Sequence, residues 1–149
     1  MTEDLSAFSP LARGIIERNG YRVVGVDTLD AVAGALPLAM LFFAGDAERL
    51  GESDDAAVVL VELDKLLAHR VVPLIAARGD ERTLQRRFRF TAFPALVFLR
   101  DGGYLGCIER VLDWQDYLAE LPEILARTPH APPAYRLPDH CAPSAAPLQ

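Results

Sequence analysis

Two rhythms alternate along the chain: apolar residues recurring every three to four positions, and short runs that are apolar throughout, as expected of helices and of strands covered on both faces. "SPLARGIIERNG" has Ser9 placed to cap, Pro10 in the first turn and Gly20 as a stop, which predicts a helix over residues 9 to 19. "YRVVGV" predicts a short strand, and "TLDAVAGAL" a short helix capped by Thr28 and ended by Pro37. "LAMLFFA" is too short for a typical helix and suits a central strand. "GDAERLGESD" reads as a loop or irregular helix start. In "DAAVVLVELDKLLAHR" the spacing of Leu60, Leu63 and Leu67 favours a long helix, with a strand around Val58 and Val59 as the alternative.

"VVPLIAA" is the next strand, and Pro73 near its start places it at a sheet edge. "DERTLQRRF" predicts a short helix capped by Asp80, with Leu84 and Phe88 on one face. The strands "ALVFL" and "YLGCI" flank Asp101-Gly102-Gly103, a hairpin signal because these residues tolerate positive φ. Asp113 can cap a last helix carrying Trp114, Tyr117, Leu118, Leu121, Ile124 and Leu125, kinked or restarted at Pro122. The order α-β-α-β-α-β-α-β-β-α implies an α/β class, a mixed sheet with helices on both faces.

A length of 149 residues suits one domain, placed at 1–127. Residues 128–149 hold six of the eleven prolines and only two charged residues, and read as an extended or disordered tail. No apolar run approaches the roughly 20 residues of a membrane span, and "MTEDLSAFSP" lacks the pattern of a secretory signal, so a soluble protein is expected. Cys107 and Cys141 are far apart and suggest neither a disulfide framework nor a metal cluster; a reducing cytoplasm fits best. The net charge of −6 argues against nucleic acid. Charge is unevenly spread. From Ala44 to Asp64 seven acids face one base, Arg49, whereas from Arg78 to Arg89 five arginines face Asp80 and Glu81. These are either solvated helix faces or, for the acidic segment, a docking surface for a basic peptide.

The element order together with "TAFPALVFLRDGGYLG" resembles the thioredoxin fold, a three-layer sandwich, here with an extra N-terminal helix. The resemblance implies a cis Phe93–Pro94 bond; on the residues alone Pro94 is equally an ordinary first residue of a strand. It aligns Ala47 and Leu50 with the two reactive cysteines and Leu41 with a position that often holds a buried acid. Disulfide exchange needs a thiolate at that helix start and a second thiol to resolve the mixed disulfide, and neither residue supplies one, so no enzyme is expected. Cys107, in mid-strand, reads as a small buried hydrophobe. His69, His130 and His140 form no catalytic pair or metal site, and no cofactor is expected.

In thioredoxin-like proteins the cis proline borders a peptide groove. Here that groove would be lined by Phe93, Pro94 and the loop 45–50, with Asp46 and Glu48 making it negative. The segments "LFFAGDAERLGESDDAAVVLVELDKLL", "DERTLQRRFRFTAFPALVFLRDGGYLG" and "VLDWQDYL" further resemble the HyaE/HupG group of hydrogenase expression proteins. That resemblance implies a cytoplasmic, non-catalytic chaperone for a membrane-bound nickel-iron hydrogenase. Its client would be the small-subunit precursor with its twin-arginine signal peptide, with other maturation proteins as further partners. Asp46, Glu48, Glu52, Asp54 and Asp55 would attract the arginine pair, and Phe93 and Pro94 would meet the following apolar segment. The alternative is a generic thioredoxin-like adaptor without redox activity. The apolar content and the extra helix leave room for a homodimer.

Overall fold

The computed structural model describes residues 5–46, 49 and 51–134. Helix α1 (Pro10–Asn19) begins where the Ser9 hydroxyl accepts the Ala12 N–H at 3.1 Å. It ends at Gly20, whose φ of 65° is the left-handed conformation that a Cβ disfavours. Then follow β1 (Arg22–Val24), α2 (Leu29–Gly34), β2 (Leu38–Phe43), α3 (Glu52–Leu66), β3 (Val72–Ala76) and a single 3-10 turn at Arg78–Asp80. The chain continues through α4 (Glu81–Phe88), β4 (Ala95–Arg100), β5 (Gly103–Glu109) and α5 (Trp114–Leu125). This is the predicted order with one short turn added. Val58 and Val59 lie inside helix α3, and the strand alternative does not hold.

The five strands lie in the order β1-β3-β2-β4-β5; β3 pairs parallel with β1 and β2, and β4 pairs antiparallel with β2 and β5. β2 is central, as its unbroken apolar run requires. β3 is not the edge strand that Pro73 suggests, because it runs between β1 and β2. The proline is accommodated locally: its ladder partner on β2 is Met40, whereas pairing with β1 starts one residue later, at Arg22 opposite Leu74.

Alternation along β2 and β4 builds two cores. Met40, Phe42, Leu96 and Phe98 face α1, α3 and α5, meeting Ile15, Leu60, Leu63 and Leu121. Leu41, Phe43, Val97 and Leu99 face α2 and α4, meeting Leu29, Leu84 and Phe88. Each Leu or Phe so buried contributes roughly 1.5–3 kcal/mol of transfer free energy. Between β4 and β5, Asp101 (φ 51°) and Gly102 (φ 85°) make the tight turn that their residue types foretell.

Three predicted caps act differently from expectation. Thr28, Asp80 and Asp113 stand at helix starts, yet none of their side chains bonds an N–H of its own helix. Thr28 Oγ1 instead accepts the Gly25 N–H at 2.9 Å, and Asp80 Oδ2 the Val26 N–H at 2.9 Å, the latter tying α4 to the β1–α2 connection. Helix α5 continues through Pro122 to Leu125 without restarting. Beyond it the chain lies along β5, with the His130 N–H donating to the Tyr104 carbonyl at 3.0 Å. The remainder of the predicted tail, with His140 and Cys141, is outside the described residues. Among the described residues no helix is long and apolar enough to cross a membrane.

Candidate functional site

The C-terminal ends of β2 and β3 open into a groove of about 650 Å³, the end at which open α/β sheets present ligands. Four segments supply its walls: Gly45, Asp46 and Arg49 after β2; Arg78, Glu81 and Arg82 around the start of α4; Thr91, Ala92 and Phe93 before β4; and Arg110 after β5. The Phe93–Pro94 peptide bond is cis, as the thioredoxin resemblance implies.

Around that bond the chain is firmly held on both sides. The Thr91 N–H and hydroxyl bond the Glu109 carboxylate at 2.8 and 3.2 Å, and the Arg110 N–H donates to the Pro94 carbonyl at 2.7 Å. Between them, the main chain of Ala92 and Phe93 makes no hydrogen bond among the described residues. The Phe93 ring packs on Phe90 (5.3 Å) and Phe43 (6.4 Å), and the Arg82 guanidinium lies over it at 5.0 Å. The groove thus has a fixed aromatic wall beside unpaired backbone.

Under the groove lies Glu81, only 3% exposed. One of its oxygens is paired with Arg78, and the other accepts the Gly45 N–H at 3.2 Å. Burial pushes this carboxyl above its ordinary range, while Arg78 and the Gly45 N–H pull it part of the way back. In the sequence Glu81 is merely an acid in the first turn of a helix; the available signal was Arg78, three residues earlier. Leu41 is fully buried, so the acid beneath the groove comes from α4 and not from the central strand.

The predicted site residues divide into two groups. Asp46 and Phe93 line the groove, with Pro94 buried directly behind. Glu52, Asp54 and Asp55 sit instead on the first turn of α3. There Glu52 accepts from Arg110 Nε at 2.5 Å, Asp54 accepts from the Ser9 hydroxyl at 2.5 Å, and Asp55 is exposed. Glu48 lies outside the described residues. Among the described residues four guanidiniums and two carboxylates line the groove, so its described walls are not the negative surface that Asp46 and Glu48 suggest. Arg78, Arg82 and Arg110 are remote in sequence from Gly45, Asp46 and Arg49 and converge on them only because the strand ends do.

Cys107 is half-buried on β5, where burial and then the Glu109 carboxylate push its thiol well above the usual range. His69 is not isolated, because its Nδ1 lies 2.8 Å from the Asp64 carboxylate. Among the described residues no three or more His, Cys, Asp or Glu side chains are grouped to hold a metal ion.

A family model described as "Hydrogenase-1 expression protein HyaE" matches residues 11–117. The chain belongs to this family. It is 44% identical over 117 residues to the hydrogenase expression/formation protein HoxO of Azotobacter vinelandii, covering 78% of each chain. It is 35% identical to the hydrogenase expression/formation protein HupG of Bradyrhizobium diazoefficiens, over 75% of this chain and 78% of that protein. A thioredoxin of Plasmodium falciparum shares the fold with a TM-score of 0.57 at 17% identity, over 70% of this chain and 99% of that one. The HyaE family protein is therefore thioredoxin-like in architecture, and the HyaE/HupG resemblance holds.

Proposed function

We propose that this HyaE family protein is a non-catalytic cytoplasmic chaperone for a membrane-bound nickel-iron hydrogenase, holding the small-subunit precursor and its twin-arginine signal peptide until assembly is complete. A role in hydrogenase maturation comes with the family. One observation carries the finer reading: beside cis Pro94, the Ala92–Phe93 main chain is unpaired among the described residues at the rim of an open groove. Such groups take their hydrogen bonds from water or from an extended peptide laid alongside, and backbone pairing tolerates many sequences. The signal's arginine pair is assigned to the first turn of α3, where Asp54 and Asp55 can accept the paired bonds of a guanidinium and Glu52, already bonded to Arg110 of the groove, adds negative charge. Disulfide exchange finds no support, with Ala47 and Leu50 at the two thiol positions.

Calorimetric titration with the signal peptide of a hydrogenase small subunit, beside a version with both arginines changed to lysine, tests this reading. Micromolar or tighter binding that weakens for the lysine version is expected. Equal affinity for both would leave only a generic adaptor, and undiminished binding by an Asp54→Asn, Asp55→Asn variant at the same salt dependence would remove the acidic turn from the account. Cys107 should react with a thiol reagent only slowly in native buffer and rapidly once the protein is denatured, because its thiolate is disfavoured in the fold; fast native labelling would reopen a redox role.

A further inference from the structure

The arginine-rich stretch 78–89 has no part in the reading above, yet it enters the groove. Glu81 offsets Arg78 and Glu52 offsets Arg110, whereas Arg49 and Arg82 are exposed and have no carboxylate partner among the described residues. Arg82 is held by its stacking on Phe93 and by a bond to Gln85 Oε1 at 3.1 Å, so the guanidinium face is covered while its remaining edge donors are available. Arg86 follows four residues later, exposed on the same side of α4, while Leu84 and Phe88 are buried on the other. Arg87 and Arg89 are engaged elsewhere, with Asp30 and with the Pro132 carbonyl. A positive track therefore runs from Arg49 across the groove to Arg86, on a chain whose net charge is −6.

We propose that this groove binds an extended acidic peptide segment, its carboxylates on Arg49, Arg82 and Arg86 and its backbone along Ala92–Phe93. The proposal rests on the groove being the client site and names the chemistry of what enters it. A guanidinium fixed on an aromatic wall suits a carboxylate, which it can meet with two parallel N–H bonds. The unpaired main chain alongside favours a peptide over a polyanion that has no backbone donors and acceptors to match it. The client's arginine pair and its acidic segment would then occupy separate places, the first turn of α3 and the groove.

The test is fluorescence anisotropy with a labelled decapeptide alternating aspartate with valine, its lysine-for-aspartate counterpart, and inorganic polyphosphate as competitor. The aspartate peptide should bind at least about tenfold more tightly than the lysine peptide, and the Arg49→Glu, Arg82→Glu variant should lose at least about tenfold of that affinity. Arg87→Glu, off the groove on the same helix, should keep it. Equal affinity for the two peptides, equal loss in Arg87→Glu, or displacement by polyphosphate as effective as by unlabelled aspartate peptide would each overturn the proposal. Binding of the hydrogenase small-subunit precursor is measured in parallel. Precursor binding without preference for the aspartate peptide overturns the acidic-segment inference alone. Aspartate-peptide binding without precursor binding overturns the chaperone reading and leaves the groove's preference standing.

Discussion

Two carboxylates are buried among the described residues, and their partners differ in kind. Asp64, 6% exposed near the end of α3, accepts the Tyr21 hydroxyl at 3.0 Å and contacts His69 Nδ1 at 2.8 Å. It thereby ties the helix end to the chain entering β1, beside a hollow of about 250 Å³. Glu81, at the start of α4, has a permanently charged partner in Arg78 and a backbone donor in Gly45, beneath the groove. Tyr21 responds to Asp64 as a neutral donor: burial first, and then the carboxylate, push its phenol far above the usual range. Similar burial thus yields a structural tie at one end of the sheet and a charged floor at the other.

The largest expected break in this comparison is Glu81→Leu. It leaves the Gly45 N–H unsatisfied and the half-buried Arg78 without its partner, and should cost about 3 kcal/mol in urea denaturation. Tyr21→Phe removes one hydrogen bond from Asp64, which keeps His69, and should cost about 1 kcal/mol by the same measurement. A loss from Tyr21→Phe as large as that from Glu81→Leu would erase the distinction between the two sites.

The finest test is the pH dependence of Glu81→Gln. The folded protein raises this carboxyl above its ordinary value of 4.5, so protonation favours the fold. The contribution is fully present below the unfolded value and is lost as pH rises through the raised folded value. Glutamine keeps an acceptor for Gly45 but does not titrate. Between about pH 4 and 7 the Tm of Glu81→Gln should therefore fall less, relative to its low-pH value, than that of the wild type. Parallel curves would show that Glu81 does not titrate differently on folding.

Much of the fold was legible from short-range pattern. Ser9, Pro10 and Gly20 delimit α1 by capping and φ preference, the six apolar residues of β2 require cover on both sides, and Asp101-Gly102 specifies its turn. The sequence signals failed where a local cue had a distant answer. Pro73 suggested an edge, yet only the stagger between β1 and β3 decides what stands opposite it. Thr28 and Asp80 looked like caps, but their side-chain oxygens bond backbone outside the helices they precede. Within the candidate site, Phe93, Pro94 and Asp46 were found through their neighbours in the chain, while Arg78, Arg82, Arg110 and Glu81 were not.

The elements, their order and the absence of thiols at positions 47 and 50 are consequences of residue type and spacing, which act over a few bonds. The position of β3 inside the sheet, the burial of Glu81 and the charge of the groove came only with the tertiary structure. Charge in a groove is a sum over side chains brought close in space. Here those side chains come from four separate segments, which meet only when the parallel strands align their ends.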